Sequence, residues 1–255
     1  MLDVIQLPIL DDNYVYLIHD PVSEETVVVD PGVAQPVLTA LKQYGWQLTY
    51  IFNTHHHWDH VGGNLEIKAN TGCLVIAGIG DAARIPGFDQ GVQGGDILWL
   101  GQHPIHVLST PGHTLHHVAY YLAEDKKLFC GDTLFVMGCG RLFEGSAQQL
   151  WQSLQQFKKL PVETEVYCTH EYTLTNGRFA LAVEPDNVDL QQKMAWVRMM
   201  RADLKPTVPS TIAQELATNP FFREDSVRLK KIFHKNSLTP VEIFAELRQM
   251  KDSFN

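Results

Sequence analysis

The feature of this chain that most restricts its fold is the sequence THHHWDH at residues 54–60, which directly follows a strand-like apolar run. Alternation along an extended chain would turn His55, His57 and Asp59 to one side, with His60 joining them as the chain turns toward a helix. Imidazole nitrogens and carboxylate oxygens are ligands that zinc and similar divalent ions accept. The segment therefore predicts a metal site at the end of a strand. The alternative is a solvated histidine-rich turn.

Three later segments repeat this arrangement, because in each of them a strand-like run is followed by a short turn that carries one potential ligand. These ligands are His113, Asp132 and His170. In layered α/β folds, sites are assembled from loops beyond the carboxyl ends of the strands. We therefore expect the three side chains to join the 54–60 segment in one shared site.

The complete ligand series resembles that of the metallo-β-lactamase superfamily, and within it the chain is similar to the glyoxalase II (hydroxyacylglutathione hydrolase) family. The similarity to the family covers nearly the whole chain, with matching motifs at residues 11–14, 29–32, 54–60, 110–114, 130–135, 138–145, 170–173 and 219–221. The ligand series alone carries the superfamily resemblance. The closer resemblance rests on GCGRLFEG at 138–145, HEYT at 170–173 and the long C-terminal tail, which β-lactamases lack.

The predicted secondary structure changes character near residue 172. Before it, hydrophobic patterning predicts strands at 4–7, 14–18, 26–29, 48–52, 74–77, 97–100, 105–108, 118–122, 128–130 and 166–168, with helices at 34–44, 61–69 and 146–159. After it, helices are predicted at 174–182, 190–204, 211–216, 226–233 and 240–250. Gly45 is a predicted helix stop and Ser146 a predicted N-cap. Patterning alone supports a mixed α/β layered domain. The resemblance implies a metallo-β-lactamase-like αββα sandwich at residues 1–171 and a C-terminal α-helical substrate-binding domain at residues 172–255.

Seven protein ligands are too many for one tetrahedral ion and suit two ions that share a carboxylate. The resemblance implies that His55, His57 and His113 bind the first ion, that Asp59, His60 and His170 bind the second, and that Asp132 bridges them. Zinc is the expected metal, although iron and manganese accept the same donors. Asp30 is a further candidate, either as an acceptor for a ligand imidazole or as a turn-forming residue.

The activity that the resemblance implies is a thioester hydrolase that splits S-(2-hydroxyacyl)glutathione, for example S-D-lactoylglutathione. The products would be glutathione and a 2-hydroxy acid such as D-lactate, the second step of methylglyoxal detoxification. A metal-bridged hydroxide is expected to attack the thioester carbonyl, with Asp59 and Asp132 as the catalytic carboxylates among the ligands. A persulfide dioxygenase, which uses a single iron on the same scaffold, is the alternative.

The resemblance also implies glutathione contacts at Arg141, Phe143, Tyr172, Arg248 and Lys251. Simpler roles stay open: Arg248 and Lys251 would favour the C-terminal dipole of the last helix, and Tyr172 would pack in a core. Two positions depart from the family pattern. Phe143 stands where many relatives have Tyr, and His116 stands where relatives usually have Gly.

Composition and charge exclude several other classes. No apolar run approaches the roughly 18 to 20 residues that span a bilayer, the first residues lack a signal-peptide pattern, and the four cysteines form no CxxC pair. Residues 1–171 hold 8 Lys and Arg against 19 Asp and Glu, so an extended nucleic-acid surface is not expected. Together with the family resemblance, these features lead us to expect a cytoplasmic monomer that acts on a small glutathione thioester and has no nucleic-acid or membrane partner. Cys168 is interpreted as a buried strand residue.

Overall fold

The structure is a computed structural model that describes residues 1–233 and 238–254. The chain divides into two compact units. The first comprises Met1–Ser109 and His116–Gly131, and the second comprises Thr110–Leu115 and Asp132–Asn255. Among the described residues, no helix has the length and apolar character needed to cross a bilayer.

The first unit contains two sheets. The first sheet is formed, in spatial order, by β1 (Asp3–Ile9), β2 (Asn13–His19), β3 (Thr26–Val29), β4 (Tyr50–Asn53), β5 (Leu74–Gly78) and β6 (Phe88–Val92). Its first three strands are antiparallel and the rest pair in parallel, so that Val28 lies between Leu17 and Ile51. The second sheet of this unit is an antiparallel meander of β7 (Ile97–Leu100), β8 (His103–Ser109), β9 (Val118–Leu122) and β10 (Lys127–Gly131).

Apolar side chains fill both faces of the first sheet. On one face, Val28, Ile51 and Val75 belong to the same buried cluster as Val37 and Ile67, which lie on the helices α1 (Ala34–Tyr44) and α3 (Asn64–Thr71). On the other face, aromatic rings pack between the sheets: Tyr16 against Phe129 at 5.4 Å and Phe52 against Tyr120 at 4.7 Å between ring centroids. The Tyr120 hydroxyl donates to the Asn53 carbonyl at 2.9 Å. Helix, sheet and sheet are thus layered around a core, as predicted for a sandwich.

The prediction of a single helix at 61–69 is wrong, because the structure has two helices there, α2 (Trp58–Val61) and α3. The break lies at Gly62 and Gly63, where the turn at residues 30–32 packs directly on the backbone. A Cβ atom on Gly62 would lie 2.7 Å from the Gly32 carbonyl oxygen, and one on Gly63 would lie 2.6 Å from that of Pro31. The Gly63 amide donates to the same Pro31 carbonyl at 2.9 Å. This close approach places the ligand-bearing segment against the end of β3.

The second unit is mainly helical. Its strands are β11 (Leu134–Phe135), β12 (Gly138–Cys139), β13 (Glu165–Cys168) and β14 (Ser210–Thr211), and its helices are α4 (Ala147–Phe157), α5 (Thr173–Val183), α6 (Val188–Ala202), α7 (Ile212–Thr218), α8 (Val227–Ile232) and α9 (Pro240–Asp252). β11 and β12 form a hairpin, and β13 pairs with β14. Ser146 caps α4 as predicted, in a reciprocal capping box with Gln149. Gly45, the other predicted boundary, ends α1 in the left-handed conformation with φ 74°.

Candidate metal centre

The first unit brings together the predicted ligands of the 54–60 segment at the carboxyl end of β4. His55 Nε2 lies 3.0 Å from His57 Nδ1, and the ring centroids of His55 and His60 are 4.1 Å apart. His60 Nε2 lies 3.4 Å from Asp59 Oδ2. His55 and His60 are buried, whereas His57 and Asp59 are half-buried. A compact group of imidazoles and one carboxylate therefore stands where β4 gives way to α2.

Asp30 supports this group from the end of β3. One carboxylate oxygen accepts the Thr54 amide at 2.8 Å, and the other accepts the Thr54 hydroxyl at 2.7 Å and lies 3.1 Å from His60 Nδ1. A carboxylate only accepts, so His60 carries its proton on Nδ1, and Nε2 has the lone pair that metal coordination needs. Asp30 therefore accepts from the imidazole of His60, one of the two roles expected of it from the sequence. Asp30 also forms the turn, since its carbonyl accepts the Gly32 amide at 2.9 Å.

Two further contacts hold the ligand segment. Asn13 Nδ2 donates to Asp59 Oδ2 at 3.0 Å. The neighbouring His56 makes the second contact: its Nδ1 lies 3.2 Å from Asp81 Oδ2, and the Arg84 guanidinium lies 3.1 Å from its Nε2. A guanidinium only donates, so His56 accepts at Nε2 and donates from Nδ1 to the buried Asp81. His56 thus ties the 54–60 segment to Asp81 and Arg84 and serves as a structural residue of this turn.

The second unit gathers the other three predicted ligands around one carboxylate. His113 Nε2 lies 3.4 Å from Asp132 Oδ2, and His170 Nε2 lies 3.5 Å from Asp132 Oδ1. His113 Nδ1 donates to the Arg141 carbonyl at 2.8 Å, which leaves Nε2 as its unprotonated nitrogen. All three side chains are buried. Each oxygen of Asp132 thus faces a different imidazole, an arrangement suited to a carboxylate shared by two ions.

Backbone packing fixes Asp132 closely. The Gly140 amide donates to the Thr133 carbonyl at 3.3 Å, and a Cβ atom on Gly140 would lie 2.0 Å from the Asp132 carbonyl oxygen. No side chain fits at position 140 without moving the backbone of Asp132.

Aromatic rings cover the histidines of the second unit. The Tyr172 ring stacks on that of His170 with centroids 4.6 Å apart and an interplanar angle of 5°, and the Phe135 ring meets both edge-on. Phe143 lies edge-on to His113 at 5.2 Å and keeps 60% of its surface exposed. Tyr172 is therefore not the enclosed packing residue that was one alternative, since it is 37% exposed.

Two of the three predicted cationic contacts pair with Asp252, and the third lies against aromatic rings. The carboxylate lies 3.3 Å from Arg141 Nε and 2.9 Å from Arg248 Nη2. Lys251 Nζ lies 5.8 Å from the centroids of the Phe179 and Phe254 rings. Burial, and next the neighbouring Arg248 charge, lower the pKa of Lys251. Arg141 is exposed and Lys251 half-buried, so both ammonium and guanidinium reach the surface of this unit.

Arg248 has a contact that the sequence did not predict. It is buried, and its Nη1 donates to the Cys139 carbonyl at 2.8 Å. Arg248 thereby links α9 to β12.

Cys168 behaves as interpreted from the sequence. Its thiol is buried and lies 3.6 Å from the carbonyl oxygen of His170, and burial raises its pKa to about 12. A thiol of this kind packs in the core and is a poor ligand or nucleophile at neutral pH.

Sequence reasoning missed the roles of Asn13, Thr54, Asp81 and Arg84. Asn13 and Thr54 stand in motifs that carried the family resemblance, but no spacing rule links residue 13 to residue 59 or residue 54 to residue 30. For Asp81 and Arg84, the signal in the sequence was an aspartate three residues before an arginine. This spacing is common in surface turns and does not point to His56.

The donor set fits divalent metal ions. Among the described residues, Asp30, His55 and His60 offer ligand-type atoms that all lie within 4.8 Å of one another. His60 and His113 have Nδ1 bonded to a protein acceptor, which orients Nε2 for coordination. Imidazole and carboxylate together favour zinc, iron or manganese over calcium.

Two family models together match nearly the whole sequence. Residues 9–170 match the family model for the metallo-beta-lactamase superfamily, and residues 171–254 match that described as "Hydroxyacylglutathione hydrolase C-terminus". The hydroxyacylglutathione hydrolase of Methylococcus capsulatus is 51% identical over 100% of this chain and 99% of its own length. That of Rhodospirillum rubrum is 49% identical over 99% of both chains.

Solved structures show the same fold. The crystal structure of ETHE1 from Myxococcus xanthus superimposes with a TM-score of 0.68 at 27% identity, covering 99% of this chain and 100% of that one. The B3 metallo-beta-lactamase BLEG-1 superimposes with a TM-score of 0.65 at 24% identity, covering 87% of this chain and 99% of its own. The predicted αββα fold with a helical C-terminal region is confirmed. The chain belongs to the hydroxyacylglutathione hydrolase family of the metallo-β-lactamase superfamily.

Proposed function

We propose that this protein hydrolyses S-(2-hydroxyacyl)glutathione, with S-D-lactoylglutathione as its substrate in the second step of methylglyoxal detoxification. The products are glutathione and a 2-hydroxy acid such as D-lactate. The observation that carries the proposal is the full-length similarity to hydroxyacylglutathione hydrolases, which includes the tail at residues 171–254. The chemistry of the two histidine and aspartate groups agrees with it.

The proposed metal site combines these two groups. As the family resemblance implies, His55, His57 and His113 would hold one divalent ion, Asp59, His60 and His170 would hold a second, and Asp132 would be shared by both. Zinc is the proposed metal, with iron or manganese as substitutes for it. When bound, such ions supply Lewis acidity, which lowers the pKa of water and polarises a thioester carbonyl.

The residues of the chain orient this chemistry. Asp30 fixes the protonated nitrogen of His60, the Arg141 carbonyl does the same for His113, and Asn13 holds one oxygen of Asp59. The departing thiolate needs no proton donor, because a thiol has a pKa of about 8.5. No separate proton donor was predicted for the site, and none is required by this step.

The substrate contacts are proposed at Arg141, Phe143, Tyr172 and Lys251. The cationic pair suits the carboxylates of glutathione, while Phe143 offers an exposed ring without the hydroxyl that many relatives carry. Arg248 is proposed to support the substrate site indirectly, by holding β12 through its bond to the Cys139 carbonyl. Replacing Lys251 with Ala is expected to raise KM with little change in kcat. An unchanged KM would remove Lys251 from the binding site.

A persulfide dioxygenase is the second candidate, because it is the alternative activity expected of the same scaffold. The match of residues 171–254 to the hydrolase-specific C-terminal family favours hydrolysis. Oxygen consumption separates the two, because a thioester hydrolase consumes none.

The deciding experiment compares the zinc-loaded protein with its Asp132→Ala variant on S-D-lactoylglutathione and on a thioester without glutathione. Selective turnover of the glutathione ester, abolished by the substitution, is expected. Equal turnover of both thioesters would reduce the proposal to a general thioester hydrolase, and no turnover would refute it.

We also propose that the protein is a cytoplasmic monomer without nucleic-acid or membrane partners.

A further inference from the structure

In the second unit, β11 and β12 form a short, buried hairpin at residues 134–139. Every residue from 131 to 140 is buried. Two residues, Val136 and Met137, connect the strands, and Met137 has the left-handed φ of 56°. So short a hairpin satisfies few of its own backbone polar groups, and a buried backbone group without a partner is costly.

Side chains from the helical tail supply those partners. Asn219 Nδ2 donates to the Gly138 carbonyl at 2.9 Å and approaches that of Phe135 at 3.3 Å. Glu215 Oε2 accepts the Met137 amide at 2.8 Å. Asn176 Nδ2 donates to the Val136 carbonyl at 3.2 Å. With the bond from Arg248 to Cys139, four side chains from separate parts of the tail hold one hairpin.

These side chains are themselves fixed. Glu215 is fully buried, and its other oxygen accepts from Lys193 at 3.0 Å and from the Ser210 hydroxyl. Asn219 Nδ2 also lies 3.0 Å from Glu215 Oε2. A buried polar network in which each member has a partner is rigid.

The hairpin in turn adjoins the three proposed ligands of the second unit. Asp132 precedes β11 by two residues, and the Phe135 ring contacts the ring of His170 at 5.9 Å between centroids. Residue 141, two positions after β12, offers the carbonyl that receives His113 Nδ1. A shift of the hairpin would therefore displace all three side chains.

We infer that Asn219, Glu215 and Asn176 are positioning residues for the metal ligands, so that the helical tail shapes the metal site as well as any substrate site. This inference rests on the proposed metal ligands, but it does not depend on the identity of the substrate.

Asn219→Asp is the informative variant. It keeps the oxygen that accepts the Phe221 amide at 3.0 Å, but it removes the donor to Phe135 and Gly138 and sets a carboxylate against Glu215. Asn187→Asp is the matched control. Asn187 likewise caps a helix, by accepting the Leu190 amide, and its Nδ2 donates to the Ala217 carbonyl at 2.9 Å, away from the hairpin.

The readouts are zinc affinity, from competition with a chromophoric chelator, the visible spectrum of the cobalt-substituted protein, and the stability of the metal-free protein in urea. Asn219→Asp is expected to lower zinc affinity roughly 10- to 100-fold and to alter the cobalt spectrum, as for other residues that orient ligands. Asn187→Asp is expected to change stability alone. Equal zinc affinity and an unchanged spectrum in Asn219→Asp, whatever its stability, would overturn the inference.

If Asn219→Asp does not fold, Asn176→Ala decides, because within the described part of the chain the side-chain hydrogen bond it removes is the one to Val136. A fall of roughly two- to tenfold in zinc affinity, the effect of one net hydrogen bond, would support the inference, and an unchanged affinity would overturn it. A parent protein that binds two ions but does not hydrolyse S-D-lactoylglutathione would refute the proposed function without affecting this test.

Discussion

Replacing Asp30 with asparagine should weaken metal binding without distorting the backbone. The Asp30 carboxylate is buried and meets the amide and hydroxyl of Thr54 and the Nδ1 of His60. Its φ of 51° lies in the left-handed region, which asparagine tolerates as well as aspartate does. The substitution therefore preserves size and conformation and changes only the charge and one acceptor.

The magnitude follows from the lost acceptor. If the asparagine oxygen keeps the Thr54 amide, its NH₂ group faces His60 Nδ1, and two donors oppose each other. His60 relieves the conflict by moving its proton to Nε2, the nitrogen needed for coordination. Losing such an orienting partner lowers metal affinity roughly 10- to 100-fold, or about 1.4 to 2.8 kcal/mol. The lost hydrogen bond to a charged group should also destabilise the metal-free fold by about 1.5 to 3 kcal/mol.

The assay measures the zinc dissociation constant by chelator competition and the unfolding free energy of the metal-free protein in urea. Asp20→Asn is the control, because Asp20 is equally buried and accepts two backbone amides and the Ser23 hydroxyl, with no predicted ligand as its partner. It should lose stability and keep zinc affinity. Parent-like zinc binding by Asp30→Asn, or an equal loss in Asp20→Asn, would refute the reasoning.

Three further predictions concern the packing and titration of the fold. Tyr120→Phe removes the hydroxyl bonded to Asn53 and should lower the unfolding free energy by about 0.5 to 1.5 kcal/mol in urea; an unchanged value would show that the bond contributes nothing net. The hydrogen bond from Lys68, and next that from the Val75 amide, lower the pKa of Asp89. The interaction therefore stabilises the fold at pH values above the pKa that Asp89 has in the unfolded chain, and this stability is lost as the pH falls through the lowered pKa of the folded state. Lys68→Met should therefore cost about 0.2 to 1 kcal/mol at pH 7 and less in acid, and a cost independent of pH would contradict this. Burial raises the pKa of Cys139 to about 11, and all four cysteines are buried, so thiol reagents at pH 8 should label the native protein far more slowly than the unfolded one; rapid labelling of the native protein would contradict the burial.

Strong local patterns were predictable from the sequence. The helix Ala34–Tyr44 and the strands Thr26–Val29, Ile97–Leu100 and Val118–Leu122 have the predicted bounds, because compact apolar runs define the strands and Gly45 ends the helix. The predicted ligand residues were equally clear, since each group of them follows the end of a strand, and Asp59 and His60 lie in the short helix α2. Within each unit these side chains do lie together.

Features that depend on distant backbone were not predictable. The break between α2 and α3 follows from the approach of residues 30–32 to Gly62 and Gly63, which no local pattern records. The strands β6, β11, β12 and β14 were missed because they are polar or only two residues long. The bond from Arg248 to Cys139 joins residues 109 positions apart.

The absence of room at Gly140 has a consequence for how variation in this family is interpreted. A side chain there would collide with the Asp132 carbonyl whether or not the protein retains any activity. Retention of glycine at this position in a diverged relative would thus report inheritance of the fold, and only the neighbouring aspartate would report inheritance of the chemistry.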